Sequence, residues 1–450
     1  MLLPPTASAP REPFSLLTRL HVDPEMHAVF SEERSIADWL AVECALAEEQ
    51  AALGHLSGAE AVAVTAAAET SIDRDALWSE AANVGYPILG LVRAVAAAIP
   101  DSVPERVHYG ATTQDIMDTA LALALRDALG RLQELVDALG EELASLTAAH
   151  RGTVMPGRTH AQQAVPTTLG AKVAVFVAQL ARHRERLHQA LPRIAVVSLH
   201  GAGGTSAALG PDAAALRARV AARLGLAAGD VPWHVARDGV LEFGQLCVQL
   251  AATAARLARE VIDLSRTEIG ELSEASGHHR GASSTMPQKR NPIGSEAVVG
   301  LAVTAQALAT ALPRAAEAGH ERAAGEWQVE WHVIPQVACL TAAALREAAE
   351  VVAGLHVDAE AMQRNLLADG GLIMAEAYMI ALAPALGRQR AHDVVYEAAQ
   401  DVRLRGLTLE QAVRERCGAS ADIGPLPRAS DYVGCAEAIC DTALATWRTP

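Results

Sequence analysis

Aromatic side chains are scarce in this chain: Phe, Trp and Tyr make up 3% of its 450 residues, although 51% are apolar. A core so poor in rings must rest on Ala, Leu and Val, which favours close helix-on-helix packing over a β-sandwich. Basic charge is also short, with 37 Lys and Arg against 53 Asp and Glu, for a net charge of −16. That deficit argues against nucleic acid as a partner, since such binding needs a basic face to displace phosphate counterions. A small anion can still be held if Arg, Lys, His and helix N-termini are concentrated in one pocket.

Other signals are weak. The cysteines Cys44, Cys247, Cys339, Cys417, Cys435 and Cys440 are scattered and read as buried free thiols rather than a metal site. No HExxH helix is present, and the adjacent His278 and His279 cannot easily share a metal without other ligands, so neither a metal nor a cofactor is expected. In "GAGGTSAALG" Ser206 stands where a dinucleotide fingerprint needs its third glycine. The first residues lack a basic region followed by a sustained apolar run, and no stretch of about twenty apolar residues is read elsewhere. A cytoplasmic protein with no membrane partner is expected.

What is present is helical periodicity. Leu121, Leu125, Leu129, Leu132, Val136, Leu139, Leu143 and Leu146 recur at steps of four and three, and Leu246, Leu250, Ala254, Leu257, Val261 and Leu264 repeat the beat. Further helices are expected at about 167–190, 295–312 and 333–354. The chain is therefore read as all-α, with a helical region at 1–110, a central bundle of five long helices at 111–357 and a second helical region at 358–450. Seams this long need more cover than one subunit offers, so self-assembly is expected.

Polar, Gly- or Pro-rich segments interrupt the long helices, and loops held by rigid helices are where chemistry belongs. "HYGATTQD" (108–115) offers His108, Thr112, Thr113 and Gln114 as hydrogen-bond partners for a carboxylate, with Asp115 and Asp118 read as caps of the next helix. "GRTHAQQA" (157–164) offers Arg158, Thr159 and His160, an imidazole able to donate a proton near neutral pH. "GASSTMPQKRNP" (281–292) joins two serines and Met286 to the cation of Lys289 and the amide of Asn291, which suits a loop closing over an anion or, equally, a solvated linker.

This last segment resembles the signature loop of the fumarase/aspartase superfamily, with Ala282 where the family usually has glycine, and the other two segments match the family in order. The resemblance implies that Ser283 is the catalytic base, taking a proton from the carbon beside a carboxylate. An ordinary serine is too weak for this, so its alkoxide needs the Lys289 charge, backbone donors and exclusion of water. By the same resemblance Ser284, Met286, Lys289 and Asn291 surround the substrate, Arg322 in "HERAAGEW" pairs with its carboxylate, and His160 is the acid or its partner. It also implies a homotetramer with a helical core and active sites shared among three subunits.

Two reactions compete. "ANVGYPILGLVRAV", "PWHVARDGVLEF" and "GEWQVEWHVIP" look most like the 3-carboxy-cis,cis-muconate cycloisomerase branch, whereas His160 leans toward an eliminating lyase. The expectation drawn here is elimination of a nitrogen or oxygen group from a substituted succinate, such as an amino- or nitro-succinate, to give fumarate. The alternative is cycloisomerisation of the carboxymuconate, and a third reading is a non-catalytic helical scaffold. In either reaction the partner is a small di- or tricarboxylate.

Overall fold

The computed structural model describes residues 19–275, 277, 281, 285–286, 288–418 and 423–449. The described residues are predominantly helical, and Thr113–Ala149, Leu169–Ile194, Asp238–Leu264 and Glu326–Ala353 are the longest helices; Ile293–Ala309 is shorter, at 17 residues against 21 in Glu32–Ala52. Thr113–Ala149 and Asp238–Leu264 carry the two seams read from apolar periodicity, and the other three fall close to the further helices expected at 167–190, 295–312 and 333–354. Along the first seam Leu125, Leu129, Leu132, Val136, Leu139 and Leu143 are at most 3% exposed. Every seam position from Leu246 to Leu264 is buried. The first helix begins ahead of its seam because Asp115 Oδ2 accepts from the Thr112 backbone N–H at 3.0 Å, one half of a capping box.

The chain divides into two compact units, each discontinuous in sequence: residues 1–134, 186–252 and 300–344 form one, and residues 135–185, 253–299 and 345–450 the other. In the first unit the Glu32–Ala52 helix starts at a Ser31 cap and packs on Gly58–Ala68 and on Ala213–Leu224. Ser57 and Glu60 form a full capping box, and Gly85, at φ 90, closes Arg74–Val84 in a backbone conformation that favours glycine. Ile36, Trp39, Val42, Leu77, Ile88 and Leu91 make one of its cores.

In the second unit the polar stretch 155–168, expected as a loop between long helices, is instead paired as strands. Val154–Thr159 and Gln162–Thr168 pair as an antiparallel hairpin, with His160 at φ 49 and Ala161 at φ 61 forming its two-residue tip. Positive φ at both tip residues matches the twist of paired strands. A shorter ladder joins Leu272–Ser273 to His356–Val357. The helices Ala375–Leu386, Arg388–Arg405 and Leu409–Cys417 enclose Leu382, Ala391, Val394, Ala398, Leu409 and Val413. The closing helix, Ala436–Arg448, brings Trp447 over Gly140, beneath the Arg184 guanidinium 3.6 Å from its ring and with Nε1 donating to Glu141 Oε1 at 2.8 Å.

Two readings from the sequence need correction. Cys247, Cys339 and Cys440 are buried, but Cys44 and Cys417 are half-buried and Cys435 is exposed, since Cys435 caps the closing helix at the surface. The stretch Ile293–Ala315 is also long and apolar enough to cross a membrane by length and composition, with 33% of its most apolar window buried. The sequence reading missed that run because Gly, Ser, Thr and Gln interrupt it.

Candidate active site

In the first unit the segment 108–115 turns into the Thr113–Ala149 helix. His108, at φ 62, sets its Nδ1 2.6 Å from Glu43 Oε1, and Glu43 is 2% exposed. Burial opposes the charged ring, but the hydrogen bond and charge of Glu43 outweigh it and raise the His108 pKa. Thr112 and Thr113 are half-buried at the helix start. Gln114 is fully buried; its amide nitrogen donates to Asp118 Oδ2 at 3.0 Å and to the His234 carbonyl at 2.9 Å. The Gln114 oxygen accepts from Arg322 Nη1 at 2.7 Å, and Arg322 Nη2 donates to the Ala202 carbonyl at 2.9 Å. Arg322 thus stands at the glycine-rich turn with its fork oriented by Gln114.

The reading of Asp115 and Asp118 mainly as caps is too small for what they do. Asp115 accepts from the backbone N–H groups of His200 and Gly201 at 2.9 and 2.8 Å, and its Oδ1 lies 2.9 Å from His234 Nε2. Asp118 takes both Arg237 Nη groups at 2.8 and 3.0 Å, and Arg237 also meets Glu330 at 2.8 and 2.5 Å. Trp327 Nε1 donates to Asp118 as well, at 3.2 Å. Carboxylates withdrawn from water need such partners, and these two gather three other segments of the unit around them. His200 Nε2 and His234 Nδ1 are buried without a hydrogen-bond partner. Burial first, then the neighbouring Arg217 charge, pushes the His200 pKa down to about 4.

In the second unit His160 and Thr159 are exposed at the hairpin tip. Two successive non-glycine residues with positive φ carry backbone strain of about 1–3 kcal/mol each, and surroundings must hold them there. Arg158 supplies that hold: its Nη1 and Nη2 donate to Glu271 at 2.9 and 2.6 Å, and Glu271 is fully buried. Asn365 Nδ2 donates to the same carboxylate at 2.7 Å. Arg158, expected at the substrate, is therefore paired with a buried carboxylate and anchors the strand that presents Thr159 and His160.

Ser283 and Ser284 lie outside the described residues, but the framework around their loop is clear. Glu274 accepts from the N–H groups of Gly294 and Ser295 at 3.1 and 2.7 Å and from the Ser295 hydroxyl at 2.7 Å, capping the Ile293–Ala309 helix. The Gly281 carbonyl accepts from Asn291 N and Nδ2 at 3.0 and 3.1 Å. Gly281 sits at φ 65, where an added Cβ would come 2.6 Å from the Asn291 carbonyl oxygen, so the closure demands glycine. Asn291, read as a substrate ligand, here uses its amide nitrogen to close the loop. Lys289 and Met286 are exposed, and the Lys289 N–H donates to the Met286 carbonyl at 3.0 Å. A cavity of about 160 Å³ borders the loop, lined in part by Ser265, Glu274, Arg290 and Asn291.

Of the predicted residues, the structure gathers His108, Thr112, Thr113, Gln114 and Arg322 in one unit, and Arg158, Thr159, His160, Met286, Lys289 and Asn291 in the other. Sequence reasoning passed over His200, His234 and Glu271. Glu271 carries no local mark, but a histidine directly before the glycine turn and another beside Trp233 were visible.

Comparison with known proteins agrees with these segments. The family profile described as "Lyase" matches residues 25–307, and that described as "Adenylosuccinate lyase C-terminus" matches residues 371–443. The 3-carboxy-cis,cis-muconate cycloisomerase of Pseudomonas aeruginosa is 39% identical, over 93% of this chain and 94% of its own. The N-acetyl-S-(2-succino)cysteine lyase of Enterococcus italicus is 34% identical, over 94% of each chain. The crystal structure of the 3-carboxy-cis,cis-muconate lactonizing enzyme from Pseudomonas putida superposes with a TM-score of 0.90 at 35% identity, covering 96% of this chain and 99% of that one. With profiles and relatives spanning the helices and all three polar segments, the chain is an enzyme that belongs to the fumarase/aspartase superfamily of lyases.

Proposed function

We propose that this enzyme uses Ser283 to move a proton at the carbon beside a carboxylate of a small di- or tricarboxylate, and that its reaction is the cycloisomerisation of 3-carboxy-cis,cis-muconate. The observation that carries this choice is the 39% identity with the Pseudomonas aeruginosa cycloisomerase across nearly both whole chains. Identity of that extent outweighs the single histidine on which the sequence alone prefers elimination. In the lactonising direction a substrate carboxylate oxygen adds to the double bond, and the carbanion formed beside the carboxylate takes its proton from Ser283. Lys289 and Arg322 are the cations that would carry the charge of that intermediate.

Elimination from a substituted succinate is kept as the second reading because a specific residue favours it. His160 stands exposed at the hairpin tip with φ 49, which supports a role toward a ligand rather than in a core. In that reaction Ser283 takes the proton, the bond to the neighbouring substituent breaks, and His160 gives the departing group its proton as fumarate forms. The nitrogen or oxygen leaving group first expected widens to sulfur, since the Enterococcus relative is named for an S-linked succinate.

The experiment incubates the protein with 3-carboxymuconate and with amino-, nitro- and thio-substituted succinates while following the ultraviolet absorbance of the unsaturated acids. Cycloisomerisation predicts loss of the muconate signal, abolished in Ser283→Ala and little changed in His160→Asn. Fumarate release from a succinate with no action on the muconate, together with loss of kcat in His160→Asn, assigns elimination instead.

The working form we propose is a cytoplasmic homotetramer whose sites draw on three chains. Apolar side chains left exposed along the long helices, including Val175 and Val303 at 50% each, support self-association. If Ser283 and His160 act from different chains, inactive Ser283→Ala and His160→Asn proteins regain activity on joint refolding under elimination conditions. Mixed tetramers without activity would refute the shared site.

A further inference from the structure

The chain has six tryptophans. Four of them, Trp39, Trp78, Trp327 and Trp331, line one cavity of about 570 Å³ in the first unit, with Tyr86 beside them. Tyr86 stacks on Trp327 with ring centres 5.8 Å apart, and Trp331 meets these rings edge-on at 6.0 and 5.0 Å. A close-packed core would use such rings to fill space, whereas here they surround a void of ligand size. Trp78, 43% exposed, stands at its mouth.

The charge of the lining has one sign. Glu32, Asp38, Asp118 and Glu330 reach the cavity, and among the described residues no Arg, Lys or His does. The arginines that balance these acids approach from outside the lining: Arg237 holds Asp118 and Glu330, Arg34 bonds Asp38 at 2.8 Å, and Arg74 lies 3.6 Å from Glu32. An occupant therefore faces carboxylates and aromatic faces, and a ring face itself carries partial negative charge. An anionic group would meet no counter-charge there.

We propose that this cavity is a binding site for an apolar organic cation, an aryl- or alkylammonium group. The site stands apart from the proton-transfer chemistry, since His160, Lys289 and Arg322 are not among its described lining residues. Asp118 links the two regions, since it lines the cavity and also receives Gln114, whose oxygen holds Arg322. Occupancy is thereby sensed at the arginine through two hydrogen bonds.

The lining tryptophans provide the readout. The intact, assembled protein is titrated with benzyltrimethylammonium, with benzyl alcohol as the neutral arm and with phenylacetate as the anionic arm, while tryptophan emission is followed. The expected result is a saturable change with the cation, at a Kd at least about tenfold below that of phenylacetate. Ala82→Phe, which fills the exposed mouth, should raise the cation's Kd about tenfold or more without lowering the melting temperature, and Trp331→Leu, which removes a ring, should raise that Kd by a similar factor. The proposal is overturned if phenylacetate binds as tightly as the cation, if benzyl alcohol binds and the cation does not, or if Ala82→Phe leaves the cation's Kd unchanged. It is also overturned if the assembled protein gives no response and the response appears on dilution to dissociated chains, since a second copy would then be the occupant.

Discussion

Arg237→Met removes the cation from a deeply buried charge cluster of the first unit. Arg237 is 2% exposed and makes charge-assisted hydrogen bonds to Asp118 at 2.8 and 3.0 Å and to Glu330 at 2.8 and 2.5 Å. Met fills much of the same volume, so the loss is chiefly electrostatic. Two carboxylates at 1% side-chain exposure are left facing each other without a counter-ion. Removing one partner of a single buried pair costs about 3–5 kcal/mol, and here one side chain serves two partners, which places the loss at the upper end of that range. Burial already pushes the Glu330 carboxyl up, against the opposing pull of Arg237. Without Arg237 it rises further, and a group with a raised folded-state pKa adds stability at low pH that disappears as pH climbs through that pKa. The variant should therefore be about 4–5 kcal/mol less stable at pH 7 and recover part of the loss at pH 5. Urea unfolding followed by circular dichroism, at one fixed protein concentration for both proteins, measures this. A loss below about 1 kcal/mol, or an equal loss at both pH values, would refute the argument that Arg237 compensates buried charge.

Gly140→Ala should destabilise by about 1–3 kcal/mol, because its Cβ would come 2.1 Å from the Trp447 ring. Gly130→Ala, on the same helix with nothing within 4 Å, should stabilise by up to about 1 kcal/mol, and thermal melts of the pair test the opposite signs. Glu271→Gln weakens the hold on Arg158 and should cost about 1.5–3 kcal/mol, with amide exchange rising in Val154–Thr159 if that carboxylate anchors the hairpin. His200, lowered to about 4, stays neutral in the fold while the unfolded chain takes up a proton below its ordinary value. Stability is therefore lost as pH falls from about 6.5 toward 4. Melting temperatures across that window should drop less in His200→Gln than in the parent.

The long helices were readable in advance because steps of four and three sustained for twenty residues or more have no common rival interpretation. The hairpin was not. Its strands are broken by Gly157 and Pro166, and its tip carries His160 and Ala161 where a hairpin signal would show Asn-Gly. Arg158 shows a second limit. Its motif pointed to substrate, and the carboxylate that claims it lies 113 residues away. Asp118 fails in the same way: its place in the first turns of a helix suggests a local role, whereas Arg237, 119 residues on, gives it a tertiary one. Local chemistry names the groups that can act, and long-range pairing decides which are still available to act on something else.

Each compact unit is stitched from three separate stretches of chain, and the first is not complete until residue 344. No contiguous gene fragment short of that point encodes either unit whole. Recombination between relatives at the apparent gaps between helices would therefore mix half-units rather than swap modules. Such a fold diversifies by exchanging side chains in its loops, and it resists being cut and pasted.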